Sequence, residues 1–500
     1  MLQHDIYRYI DMISLCILLL INWYIYDILV NYKMLKNFIK NLLLFIKNIY
    51  ILKLIIIIII KEKNMEEKRI FEKAIYIAKD NPAIERIEEK CIDCGICTNT
   101  CRQRENIENT SNKSICINCG QCVQTCPTGA IVPKQDKNKL KEAIKNKKVC
   151  IAYTSPSVRV ALGDEFGMEY GEFVQGKLVT ALRKIGFKYV LDVTFGADLT
   201  IMEEAYELVE RIKNKGVLPM FTSCCPSWVK YAEIFYPEIL DHISTCKSPI
   251  GMQGQIVKNY FIQKHNLNKE DVFCVAITPC TAKKYEISRK EIDGTDLVIT
   301  TKELSDIIKE EKIDFANLED GNYDSLLQEA SGAGMIFGNT GGVMEAALRT
   351  AYYILTGKEL EKEKIEFKEV RGMQNVKEAT IDINGISLNI AIIHKMSSAI
   401  PILEEVKNGT SKYHYIEIMN CVGGCIGGGG QPKFKLAEEM QIKEKRIESL
   451  YNRDRENTIR CSHQNSEIIK LYEEFLEKPL SKKSEELLHT TYEDKSYLKG

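Results

Sequence analysis

Five hundred residues exceed one ordinary hydrophobic core, so two or three domains are expected. The 68 basic and 69 acidic side chains cancel to −1, which leaves no bulk electrostatic attraction to nucleic acid or to an anionic membrane. A 45% hydrophobic, 27% charged composition excludes a disordered chain, and 18 clustered cysteines point to metal rather than to a disulfide framework.

Residues 1–64 differ from the rest. They hold four acids, Asp5, Asp11, Asp27 and Glu62, among Ile, Leu, Tyr, Asn and Lys, and run into the block Ile55 to Ile60. The stretch from Met12 to Val30 approaches the length of a bilayer span. Asn22 and Asp27 interrupt it, and Lys47 and Lys53 interrupt the later apolar stretch from Leu42 to Ile60. A small-residue cleavage site of the secretory kind is missing. Three readings fit: an untranslated leader, a membrane anchor, or a soluble extra helix. The first is preferred, because Lys61-Glu62-Lys63-Asn64 can be encoded by a purine-rich ribosome-binding sequence just ahead of Met65. On that reading the protein is cytoplasmic, and a membrane enters only if the leader is real.

Residues 65–148 read as an iron–sulfur domain with a connector. Cys91, Cys94, Cys97 and Cys101 follow C-x2-C-x2-C-x3-C, and Cys116, Cys119, Cys122 and Cys126 repeat it before Pro127. Three thiolates at such spacing wrap one corner of a cubane, and the fourth ligand comes from the other half. Cys91, Cys94, Cys97 and Cys126 are thus assigned to one [4Fe–4S] cluster, and Cys116, Cys119, Cys122 and Cys101 to a second. Structural zinc, which prefers two separated ligand pairs, fits two triplet-plus-one runs poorly. Lys134 to Lys148 is a charged, helical connection.

From residue 149 to 500 apolar strand-like runs alternate with helical patterns, an α/β signature. Three of these runs end at cysteines. Val217 to Thr222 leads into Cys224-Cys225, Val272 to Thr278 into Pro279-Cys280, and Tyr413 to Met419 into Cys421 and Cys425. Open α/β sheets place ligands beyond the carboxyl ends of their strands, so thiols 200 residues apart are expected to converge.

The loops Thr222-Ser-Cys-Cys-Pro-Ser-Trp228, Thr278-Pro-Cys-Thr-Ala-Lys-Lys-Tyr-Glu286 and Met419-Asn-Cys-Val-Gly-Gly-Cys-Ile-Gly-Gly-Gly-Gly-Gln-Pro432 resemble the signature loops of the iron-only [FeFe] hydrogenases. The resemblance runs from about Ile87 to Tyr492. Supporting stretches begin at Pro156, Phe195 and Ser331. It implies an α/β catalytic domain, with two sheet-containing lobes around a buried cluster, behind an N-terminal α+β domain like bacterial ferredoxin. It also implies an H-cluster, a [4Fe–4S] cubane bridged to a diiron subsite with CO, cyanide and azadithiolate. Carried over by motif, the cubane ligands are Cys225, Cys280, Cys421 and Cys425, with Cys425 bridging. Lys283 donates to a cyanide, Pro156, Ser157 and Pro279 line the diiron pocket, and Phe337 and Met419 cover it. Cys224 passes protons along a relay of Glu204, Ser244, Glu207 and Arg211. Glu204 and Glu207 stand i, i+3 on one helical face, with Arg211 four residues on.

Two departures fall near the cofactor: Thr278 stands where the family commonly has methionine, and Ile250 where it has glutamine. A Thr278 hydroxyl there is free to bond a ligand or hold water, and such neighbours tune potential and reactivity. Arg102 replaces a proline after the first cysteine run. Cys150, Cys246, Cys274 and Cys461 read as buried free thiols, and His394 as structural.

The resulting expectation is a hydrogenase catalysing 2H⁺ + 2e⁻ ⇌ H₂, fed by ferredoxin or flavodoxin and dependent on dedicated maturation enzymes. Two alternatives are a hydrogenase-like H₂ sensor and an iron–sulfur assembly scaffold. The intact relay and third loop argue against both.

Overall fold

The structure is a computed structural model and describes residues 12–21, 40, 42–47, 73–109, 114–325, 327 and 330–499. The chain divides into two compact units, Met1–Glu72 and Lys73–Gly500. In the first, residues 12–21 and 42–47 are helical, and Leu15, Leu18, Leu19, Leu43 and Leu44 are exposed. The remainder of both candidate spans, and Met65, lie outside the described residues. Among the described residues no helix is long and apolar enough to cross a membrane.

The second unit begins with a two-stranded antiparallel sheet, β1 (Ile84–Arg86) against β2 (Ile131–Pro133). Between these strands lie the helices Ile96–Glu105 and Gln121–Thr125, which carry the third and fourth cysteines of the first run and the third of the second. Ala74, Ile75, Ala83, Ile84, Val123 and Ile131 pack around the cysteines. The connector forms the Lys137–Lys145 helix, whose buried face is Leu140 and Ala143.

Two four-stranded sheets follow. The first has the order β4-β3-β6-β7 and is wholly parallel: β3 (Val149–Thr154), β4 (Tyr189–Asp192), β6 (Val272–Thr278) and β7 (Leu297–Thr300). Its strands are buried on both faces, which is why they read as continuous apolar runs. The second has the order β5-β10-β9-β8, with β5 (Met220–Phe221), β8 (Val376–Ile383), β9 (Ile386–His394) and β10 (Tyr415–Met419). Strand β10 runs parallel to β5 and β9, and β8 closes the edge as an antiparallel hairpin partner of β9. The run expected from Val217 shrinks to two residues, because Pro219 has no N–H for the ladder. Strand β6 has the bounds expected of it.

The Val193–Lys213 helix lies between β4 and β5 and is buried along nearly its whole length. Asp192 caps it, accepting from Thr194 N at 2.8 Å, and the buried Arg159 guanidinium is paired to Asp192. Two of its buried acids are satisfied at both oxygens: Asp198 takes Ser331, Ser462 and Asn465, and Glu203 takes Tyr472, Ser484 and His489. Such pairing offsets the cost of burying carboxylates on a helix covered on almost every side. The segment after Tyr492 is held: Lys495 Nζ pairs with the buried Glu233 at 2.8 Å.

Candidate active site

The carboxyl ends of β3, β6 and β10 open on one cavity of about 60 Å³. Every residue expected to face the cofactor lines it: Pro156 and Ser157 after β3, Thr278, Pro279 and Lys283 at the end of β6, Phe337, and Met419 at the end of β10. Cys224, Cys280 and Cys425 line it too, as does Ile250. Cys225 and Cys421 do not, but their thiols belong to the same group. Burial, then the neighbouring Cys280, Cys225 and Cys425, push the Cys421 thiol well above its ordinary value. All four thiols are free and only partly covered.

The third loop reaches this place through Gly424, whose φ is +90°. A Cβ there would lie 2.5 Å from Thr340 N and 2.7 Å from Asn339 C, so only glycine lets the loop pass. Ser157 Oγ is buried without a partner, and an unpaired buried hydroxyl is costly unless a ligand satisfies it. Lys283 Nζ donates to Cys224 O at 3.0 Å and pairs with Glu286 at 2.9 Å. Burial opposes its charge, but the Glu286 carboxylate outweighs burial and holds the ammonium above its ordinary value. Glu286 is a protein counter-ion that sequence did not reveal. The Thr278 hydroxyl, in the cavity lining, donates to Cys280 O at 3.2 Å and accepts from Cys280 N at 3.4 Å, bracing the turn that carries Cys280.

The expected relay residues lie together but are unevenly joined. Ser244 Oγ donates to Glu207 Oε2 at 2.7 Å, and Arg211 donates to Glu207 Oε1 at 2.6 Å. Nearer the cavity, Glu204 Oε1 accepts from Tyr415 OH at 2.9 Å, while Oε2 is buried without a partner. Burial, opposed by the Tyr415 hydrogen bond and aided by the charges of Glu207 and Glu417, raises the Glu204 carboxyl to about 8. Burial, then the charge of Glu204, pushes the Cys224 thiol well above its usual value. At the outer end, ligand atoms of Glu207, Cys246 and His489 lie within 4.8 Å of one another. Each is already engaged, His489 by Thr245 and Glu203.

In the cysteine-rich module, a cavity of about 20 Å³ is lined by Cys91, Cys94, Cys97 and Cys126. The other four thiols form a second group: after burial, Cys101 and Cys116 act most strongly on the Cys122 thiol, and Cys101 acts on Cys119. Burial would raise Cys126, but the Ile131 amide, Thr128 hydroxyl and neighbouring amides outweigh it and lower the thiol. Backbone and amide donors reach Cys97 from Ile75 N at 3.3 Å and Cys116 from Asn81 Nδ2 at 3.4 Å.

Sequence reasoning passed over Tyr415, which reads as one more apolar position of a strand, and Gln121, whose Nε2 lies 3.2 Å from Cys421 Sγ. The position of Gln121 between two cysteines was the signal available for it. The soft donor set, the unpartnered hydroxyl and the buried ammonium fit thiolate-ligated iron carrying anionic groups.

Residues 148–429 match the family described as iron only hydrogenase large subunit, C-terminal domain, and residues 440–495 match iron hydrogenase small subunit. Residues 88–104 and 110–132 each match a 4Fe-4S binding domain. Iron hydrogenase 1 of Clostridium pasteurianum is 41% identical over 447 residues, covering 84% of this chain and 78% of that protein. The periplasmic [Fe] hydrogenase large subunit of Nitratidesulfovibrio vulgaris is 46% identical over 69% of this chain and 85% of its own length. Protein NAR1 of Arabidopsis thaliana is 30% identical over 72% of this chain and 81% of its own. Among solved structures, a variant of the [FeFe]-hydrogenase HydA1 from Chlamydomonas reinhardtii superposes with a TM-score of 0.63 at 37% identity, covering 71% of this chain and 98% of that one. The chain therefore belongs to the iron-only hydrogenase family, as an oxidoreductase whose cofactors are [4Fe–4S] clusters and the H-cluster.

Proposed function

We propose that the chain catalyses 2H⁺ + 2e⁻ ⇌ H₂ in the cytoplasm, with electrons from reduced ferredoxin or flavodoxin. Residues 65–148 form the electron-entry domain and residues 149–500 the catalytic one. The observation that carries the reading is the single cavity where Cys224, Lys283, Cys280 and Cys425 meet beside a buried acid with a free oxygen.

When bound, the H-cluster supplies the redox-active iron at which protons and electrons are exchanged for H₂. Cys225, Cys280, Cys421 and Cys425 would hold the cluster through their thiolates. Lys283, fixed by Glu286 and the Cys224 carbonyl, presents an ammonium to a cyanide. Ser157 offers its unpartnered hydroxyl to the same group. Pro156, Pro279, Phe337 and Met419 exclude bulk water. Cys224 holds a proton at Sγ, Glu204 renews it from a carboxyl that stays protonated near neutrality, and Ser244, Glu207 and Arg211 connect Glu204 to the surface. Dedicated maturation enzymes deliver the diiron group.

The likeness to Protein NAR1 supports a second reading, an iron–sulfur protein without turnover. An H₂ sensor is the third. H₂ evolution from dithionite-reduced methyl viologen, with Cys224→Ala in parallel, separates them. Turnover that collapses in the variant establishes the catalyst. Diiron loading without turnover in the unaltered chain favours the sensor, and failure to load favours the non-catalytic protein.

A further inference from the structure

We propose that Gln121 raises the reduction potential of the catalytic cubane by donating a hydrogen bond to the Cys421 thiolate, easing electron entry from the ferredoxin-type cluster beside it. The proposal rests on Cys421 being a cubane ligand, as in the function above.

Gln121 lies between Gly120 and Cys122, at the start of the Gln121–Thr125 helix, and is 2% exposed. Its Nε2 donates to Cys421 Sγ and to Gly427 O, each at 3.2 Å, across 300 residues of sequence. Its Oε1 accepts from Arg104 Nη1 at 3.0 Å. A guanidinium has no acceptor, so Arg104 can face only the oxygen end. The NH₂ end is thereby aimed at Cys421. Arg104 is itself held by Glu439 at 3.5 Å.

The two segments that Gln121 joins approach each other closely. A Cβ at Gly429 would lie 2.5 Å from Cys119 O, and one at Gly120 would lie 2.4 Å from Thr281 Oγ1. The two backbones therefore touch where Gln121 crosses between them. An interface clamp would need only the bond to Gly427 O. The second N–H on sulfur is what that role leaves unexplained.

An N–H donated to an iron-bound thiolate stabilises the reduced, more negative state more than the oxidised one, so the potential rises. In the step affected, one electron leaves the cluster assigned to Cys101, Cys116, Cys119 and Cys122. That cluster is oxidised by one unit, and the cubane assigned to Cys225, Cys280, Cys421 and Cys425 is reduced by one. No bond or proton changes place. Gln121, peptide-bonded to Cys122 and hydrogen-bonded to Cys421, is a direct link between the two groups.

The test is a potentiometric titration followed by electron paramagnetic resonance. It uses the full chain loaded with [4Fe–4S] clusters and without the diiron group. Three one-electron steps are expected, and the catalytic one is identified by its loss in Cys280→Ser. In Gln121→Met, similar in length but without a donor, that step should become tenfold less favourable, 59 mV lower for one electron. Gln121→Glu, which sets a carboxylate against the thiolate, should lower it further. The two ferredoxin-type steps should stay in place. A catalytic step unmoved in both variants would overturn the proposal. So would loss of that step in both with the other two intact, which would make Gln121 a clamp. A third step missing from the unaltered chain would instead overturn the four-cysteine assignment, and the tuning role with it.

Discussion

A carboxyl buried with one oxygen unpartnered prefers to keep its proton, and Glu204 is such a group, raised to about 8. Below that pH it is neutral and carries a transferable proton; above it the proton is gone. H₂ evolution should therefore fall above about pH 8, by roughly tenfold per unit if Glu204 is the limiting donor, and a pH–rate profile checks this. Tyr415 donates to Glu204 and so favours the ionised form. In Tyr415→Phe the descending limb should move up by about one unit. An unmoved limb would remove Glu204 as the titrating group. Glu204→Gln fills the same space without a transferable acid proton and should cost about 10²- to 10⁴-fold in turnover. Unchanged cluster absorbance would separate that loss from failed assembly.

Elements carry these residues into place, and two of the joints between them can be tested directly. The Gly342–Thr356 helix is tied to the Glu439–Glu456 helix through Arg349, which is fully buried and meets Asp454 with two bonds of 2.8 Å and Glu345 at 2.7 Å. Removing Arg349 leaves Asp454 to Arg460 and Glu345 to Arg371, each short of hydrogen bonds it now receives. Arg349→Met should destabilise by about 1–3 kcal/mol, seen as a lowered melting temperature of the cluster-loaded protein. An unchanged melting point would mean that water reaches the acids. The third loop depends on Gly424, and Gly424→Ala should prevent incorporation of the catalytic cubane while sparing the two ferredoxin-type clusters. Iron analysis reads that directly: about eight irons retained rather than twelve, at four per cubane.

At the scale of the molecule, the two cysteine groups of the N-terminal module form a path toward Cys421, and Gln121 joins its inner end to the catalytic cysteines. The outer group is at the surface: Cys94 is exposed beside Ile92 and Ile96, which are 65% and 41% exposed. On the proposed function a protein electron carrier would use this entry, whereas a small viologen can reach other points. Cys94→Ser should depress ferredoxin-driven H₂ evolution at least tenfold more than methyl-viologen-driven evolution. Equal losses with both donors would place electron entry elsewhere.

Local chemistry made much of this legible. The cysteine spacings named the type of cluster, [4Fe–4S], because three thiolates two residues apart suit one cubane corner. The three cysteine-bearing loops carried the family resemblance, and β6 was bounded correctly because a strand buried on both faces is one unbroken apolar run. What sequence left open involves partners brought together from distant segments. Tyr415 on Glu204 and Gln121 on Cys421 both depend on how sheets and helices pack. Sequence by itself determined which atoms are present to bind iron and carry protons, since those follow from residue type and spacing. The tertiary structure alone decided which are left without a protein partner and so face the cavity, because hydrogen-bond satisfaction belongs to the packed chain.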